Sequence, residues 1–90
     1  MIFKVYRIFS RDDELLYVGM SCRVPQRMSG HRKKKWWRKT HRVERSVCDD
    51  WQHAVRTEKQ AIWDENPKHN ICGKRGGNRP YIAPTHPKRV

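Results

Sequence analysis

Apolar positions along the chain fall in short blocks whose period changes. Residues 2–9, IFKVYRIF, are β-branched and aromatic with Lys4 and Arg7 interposed, which predicts a strand. The polar run SRDDE, 10–14, predicts a turn, and LLYVGM, 15–20, predicts a second strand that ends around Gly19. Strands joined by so short a connection form an antiparallel hairpin. With Arg11 and Asp12 as the loop, Ser10 faces Asp13 and Tyr6 faces Tyr17, each pair directly opposed and on one face.

Helical spacing follows. Ser21 or Cys22 can cap a helix, Pro25 suits its first turn, and the helix runs to about Lys34, with Gly30 as its weak point. Arg27 and His31 stand at i, i+4, one above the other on one face. RKKKWWRKT, 32–40, predicts a basic loop or helical extension that presents Trp36 and Trp37. In HRVERSVC, 41–48, the alternation of Val43, Arg45 and Val47 predicts a third strand. Asp49 or Asp50 caps a second helix through about Asp64, with an apolar stripe of Trp51, Ala54, Val55, Ala61 and Ile62, and Pro67 ends it. The predicted fold class is therefore α+β: a three-stranded antiparallel β-sheet flanked by helices over residues 1–71. A basic Gly/Pro-rich extension follows over residues 72–90, with a short ordered piece around Tyr81.

Ninety residues make one small domain that buries roughly 60–65% of the surface its unfolded chain exposes. The hydrophobic fraction is lean at 36%, but 10% aromatic residues supply a thin core and argue against disorder. No run approaches the roughly 18–20 apolar residues of a membrane span. The opening MIFKVYRIFS mixes charge with apolar residues and does not read as a signal peptide, so an intracellular location is expected. Cys22, Cys48 and Cys72 form no CxxC pair and read as reduced thiols, while His69 and Cys72 lack the two further ligands a structural zinc needs.

The charge changes this picture most. Lys and Arg number 21 against 9 Asp and Glu, a net +12. Between Glu14 and Glu44 there is no acid, and none follows Glu65. Such a field selects polyanions, since each phosphate neutralised releases counterions. A membrane surface fits poorly because the basic run lacks an amphipathic apolar face. Arg32, Lys33, Lys34, Lys35, Trp36, Trp37, Arg38 and Lys39 are the candidate nucleic-acid-binding residues, by phosphate contact and base stacking. Charge alone does not separate a binder from an enzyme, and a solvated basic face has the same composition.

Candidate chemistry rests on the position that completes the second helix's stripe, i+7 from Trp51, which is Glu58. A carboxylate there costs stability unless it is paired with a cation or holds a hard metal ion. Arg27 can hold a phosphate and His31 can pass a proton or hydrogen-bond a nucleophile, although a solvated helix face carries such pairs too. Two tyrosines on one hairpin face complete the set.

In order, these residues resemble the GIY-YIG nucleases. The first motif stands as Lys4-Val5-Tyr6 and the second as Tyr17-Val18-Gly19, with ten residues between the tyrosines. Arg27 and His31 are similar to the family's R-x-x-x-H stretch, Glu58 in AVRTEKQAI to its metal-binding Glu, and Asn70 in NPKHN to its closing Asn. Lys4 for Gly and Val5 for Ile depart from the pattern without removing a catalytic residue type. The resemblance implies a metal-dependent endonuclease whose site is Tyr6, Tyr17, Arg27, His31, Glu58 and Asn70. Glu58 would hold one Mg²⁺ or Mn²⁺, Tyr6 would activate or orient water, and Arg27 would offset phosphate charge. Tyr17 and His31 would hydrogen-bond the reacting groups, and Asn70 would orient the site. The implied substrate is DNA, with RNA left open, nicked with modest sequence specificity. One site cuts one strand, so a monomer or a transient homodimer is expected, and the size suits a phage protein. The alternative is a non-catalytic basic nucleic-acid-binding module.

Overall fold

A computed structural model describes residues 2–77 and 79–84. Three strands, β1 (Phe3–Ser10), β2 (Leu15–Ser21) and β3 (Thr40–Cys48), form one sheet in the order β2-β1-β3, both pairs antiparallel. Helix α1 (Val24–His31) follows β2, a short 3-10 helix (Lys35–Lys39) leads into β3, and α2 (Trp51–Glu65) follows β3. The architecture is the expected three-stranded α+β fold.

Alternation along the central strand sends side chains to both faces of the sheet. Val5 joins Val18 and Met20 in a cluster with Ala54, Ala61 and Ile62 of α2. Tyr6 and Ile8 join Leu16 in a second cluster with Val24 and Met28 of α1, flanked by Tyr17, Trp36, Trp37 and Val43. Two helices on opposite faces thus let a short chain bury a sheet with few residues.

The hairpin register differs from the expected one by two positions. Tyr6 pairs with Gly19 and Ile8 with Tyr17, and Ser10 does not face Asp13. The Ser10 hydroxyl accepts the amides of Asp12 and Glu14, Asp13 takes a left-handed φ of 63°, and the pairing shifts between Ile8 and Phe9. The loop is therefore longer than two residues and a bulge follows it. A shift of two keeps every side chain on its face. Tyr6 and Tyr17 become diagonal neighbours with stacked rings 6.2 Å apart.

Gly19 does not end β2, which pairs on through Ser21 opposite Lys4. Consequently α1 begins at Val24, with Pro25 in its first turn and no side-chain cap, whereas the Ser21 hydroxyl is spent on the Arg23 amide. The helix closes at His31 rather than Lys34, because the amides of Lys33 and Lys34 bond three residues back and tighten the chain into a turn. At α2, Asp50 is the N-cap, accepting the His53 amide at 2.7 Å, and Asn66 closes the helix in a left-handed conformation just before buried Pro67.

The segment after α2 covers the outer edge of β2. The amides of Lys68 and His69 donate to the carbonyls of Leu15 and Leu16 at 3.0 and 2.8 Å. Asn70 accepts the Val18 amide and donates to the Val18 carbonyl, each at 2.9 Å. The described part of the extension also returns to the domain, with Cys72 bridged to Arg79 and Tyr81 packed against the α2-side cluster. Among the described residues no helix is long and apolar enough to cross a membrane.

Gly19 is required by contact. A Cβ there would overlap Cζ and Oη of Tyr6, which has 0% exposure and no room to yield, while a Cβ on Gly30 meets nothing within 4 Å. Gly19→Ala is expected to destabilise by about 1–3 kcal/mol through overpacking. Gly30→Ala is expected to stabilise α1 by about 0.5–1 kcal/mol. Urea unfolding of the two variants beside the wild type measures both.

Candidate active site

Tyr6 reaches the α1 face from the central strand and is fully buried, so its hydroxyl needs a partner. It finds one in His31 Nε2, 2.8 Å away across the last turn of α1. Tyr17 closes the group, its ring 4.6 Å from that of His31 and stacked on Trp36 at 5.7 Å. Trp36 stacks in turn on His69 at 5.2 Å. Trp36 and Trp37 are half-buried members of this aromatic wall rather than free surface aromatics.

Arg27 lies one turn before His31 and is solvent-exposed. Its charge acts on Tyr6, Tyr17, His31 and Glu58 alike. Glu58 sits on the buried stripe of α2, as its spacing predicts, with 7% exposure. A cleft of about 430 Å³ brings Tyr17, Arg27, Lys34, Glu58 and Asn70 together with Tyr81. Tyr6 and His31 stand behind this wall.

Burial dominates the electrostatics. It pushes the Tyr6 and Tyr17 phenols well above the ordinary tyrosine range, against the pull of Arg27. It lowers His31 to about 4, reinforced by the positive charges of Lys34 and Arg27, so the imidazole is neutral at pH 7. It also raises the Glu58 carboxyl, while a hydrogen bond from Tyr81, the Arg27 charge and the Met20 backbone amide favour the ionised form. His31 Nδ1 is buried without a hydrogen-bond partner among the described residues, so Nε2 carries its only bond in the site.

No group of three or more His, Cys, Asp and Glu side chains converges among the described residues, so His69 and Cys72 gain no further zinc ligands. A lone buried carboxylate in an open cleft suits a hard divalent cation, which keeps several waters and takes one or two carboxylates. Glu58 fits that requirement.

The six residues singled out by their order thus lie around one cleft, but with unequal access. Tyr17, Arg27, Glu58 and Asn70 line it, Tyr6 and His31 form an enclosed pair, and the Asn70 amide is fully engaged by Val18. Tyr81 was not expected here. Its hydroxyl donates to Glu58 Oε1 at 2.5 Å. The only signal for it is that it is the sole Phe, Tyr or Trp in residues 72–90.

A family model described as the GIY-YIG catalytic domain matches residues 3–70. The chain belongs to the GIY-YIG catalytic-domain family. Among relatives, the UvrABC system protein C of Mycoplasma mycoides subsp. mycoides SC is 29% identical, with an alignment covering 92% of this chain and 15% of that protein. The chain therefore spans about a seventh of that relative's length. No solved structure matches. GIY-YIG domains are a family of nuclease domains that generally use divalent metal ions.

The neutral His31 has a measurable consequence. Its folded pKa lies below the unfolded value of about 6.5, so between the two the unfolded state binds more protons. Its contribution to stability is full above about pH 6.5 and is lost as pH falls toward 4. Urea midpoints measured from pH 4.5 to 7.5 should rise more steeply for the wild type than for His31→Gln.

Proposed function

We propose that this GIY-YIG domain nicks DNA by hydrolysing a phosphodiester bond with one Mg²⁺ or Mn²⁺ held by Glu58. The observation that carries the reading is the buried Glu58 carboxylate sharing a cleft with Arg27, with the Tyr6–His31 pair behind it. When bound, the cation supplies Lewis-acid stabilisation of the scissile phosphate and leaving oxygen.

The chain's own residues supply the rest. Arg27 is exposed to the cleft and offsets charge developing on the phosphate. Tyr17 meets an entering water first, because it lines the cleft and Tyr6 does not. Tyr6 donates its hydrogen bond to the neutral His31 Nε2 at 2.8 Å, and burial, which raises the phenol and lowers the imidazole, keeps the proton on Tyr6. The Tyr6–His31 pair, with Tyr17 stacked on Tyr6, thus orients the groups at the cleft rather than carrying a proton away from it. Asn70 keeps the cleft wall on β2 in register through its paired bonds to Val18.

Substrate is held by charge. Arg32, Lys33, Lys34, Lys35, Arg38 and Lys39 are all exposed around the 3-10 helix, and Trp36 spends its stacking on Tyr17 and His69. Phosphate contacts of this kind carry little sequence information, which fits modest specificity on a DNA substrate.

Supercoiled plasmid incubated with Mg²⁺ should convert to nicked circles and remain supercoiled with EDTA. Glu58→Ala should lower that rate by about 100-fold or more while DNA binding in a mobility shift is retained. Cleavage by Glu58→Ala at wild-type rate would sink the metal-ligand role, and binding without metal-dependent cleavage would return the chain to the non-catalytic reading. For the basic segment, Lys33→Ala with Lys35→Ala should reduce the slope of log K against log salt by up to about 1.8, because each lysine neutralises one phosphate.

A further inference from the structure

We infer that Tyr81 is a positioning residue for the metal-binding carboxylate: its hydroxyl, 2.5 Å from Oε1, fixes the orientation in which Glu58 meets the cation. The inference rests on the proposed role of Glu58 and concerns a residue outside the matched span 3–70.

The contact has the length of a charge-assisted O–H···O⁻ bond. It is also built into the fold rather than left to a passing side chain. Gly73 has a φ of 79°, and a Cβ there would stand 3.1 Å from Tyr81 Cβ and 3.3 Å from its Cδ2. Glycine at that position thus makes the seat for the ring. The Gly73 amide donates to the Arg79 carbonyl at 3.0 Å, which closes the loop that delivers Tyr81. The ring then packs against the cluster beneath α2.

The geometry leaves room for a cation. An ionised carboxylate offers about four acceptor sites on its two oxygens. Tyr81 takes one on Oε1. Its hydroxyl carries no charge that would neutralise the carboxylate and compete with a metal. Glu58 lines the cleft, so sites on its oxygens remain for a cation. Partners of this kind, one bond removed from a metal, orient its ligand and raise affinity.

Mn²⁺ titration of the DNA-free protein, read by the loss of the free-ion EPR signal, tests this on the full chain. Four proteins are compared: wild type, Tyr81→Phe, Tyr81→Leu and Glu58→Ala. Tyr81→Phe keeps the ring and removes the bond, so its melting temperature should stay at the wild-type value. Its Mn²⁺ affinity should fall by about tenfold or more, as should that of Tyr81→Leu. In plasmid nicking, kcat should fall for Tyr81→Phe with KM for DNA unchanged. Wild-type Mn²⁺ affinity in Tyr81→Phe, with Tyr81→Leu alone weakened, would show that the ring packs and the hydroxyl positions nothing. Tighter Mn²⁺ binding by Tyr81→Phe would show that the hydroxyl competes with the cation, which overturns the inference equally. If Glu58→Ala binds Mn²⁺ like the wild type, the ligand role falls and this inference with it. If Glu58→Ala loses binding while Tyr81→Phe keeps it, only this inference falls.

Discussion

The bond between Tyr6 and His31 is the constraint on which the site depends. A buried phenol without a partner costs free energy, and so does a buried imidazole. Each answers the other across 2.8 Å, but only because Gly19 has no side chain where the Tyr6 ring must lie. One contact therefore fixes three elements: the central strand that carries Tyr6, the edge strand that makes room, and α1 that delivers His31. Arg27 is placed by the same act, since it stands one helical turn before His31. Weak packing of a thin core would leave α1 free to slide, and this bond removes that freedom.

Once α1 is fixed, one cation acts on several titrating groups of the site beside the dominant effect of burial. Arg27 acts on both tyrosines, on His31 and on Glu58, opposing the burial that would keep the phenols and the carboxyl neutral. Most other charges have ordinary surface roles. Arg7 pairs with Glu65 at 2.7 Å, Arg42 bridges Asp13 and Glu44, and Lys68 faces Glu14. Such exposed pairs contribute little to stability, because solvent screens them. Glu58 stands apart because its hydrogen-bond donor among the described residues is a tyrosine hydroxyl. Its burial is therefore only partly compensated among those residues, which suits the metal-ligand role proposed for it.

How much of this was legible in the sequence depends on the range of the interaction involved. The phase of α2 is set by local spacing, so Glu58 was identifiable on the buried stripe and is found there. The α+β sheet followed from strand patterns of the same local kind. The hairpin register was not legible, because it depends on Ser10 Oγ capturing two amides and on the left-handed Asp13. Neither has a signature in alternation. The start of α1 differs from the expected one because β2 continues beyond Gly19 to pair with Lys4, and its end because the amides of Lys33 and Lys34 bond three residues back. Tyr81 escaped the site for a different reason: it lies 23 residues from Glu58 and arrives on irregular backbone that no periodicity describes.

The Trp-containing basic segment shows how the binding surface and the reacting cleft are joined. Read as sequence, Trp36 and its neighbouring cations form one surface for nucleic acid. In the fold they divide. Trp36 turns inward and stacks on Tyr17 and His69, two residues that line the cleft. Lys34 lies over the Tyr17 ring at 5.3 Å and over Trp36 at 6.0 Å, and it lines the cleft beside Arg27. The remaining cations stay exposed on the outer side of the same short segment. Those cations are contiguous with Lys34, which borders the cleft with Arg27 and Glu58, so the basic surface runs up to the cleft. The anchoring is mechanical as well as electrostatic. The aromatic stack fixes the segment to β2, and β2 in turn carries Tyr17 and the glycine that seats Tyr6.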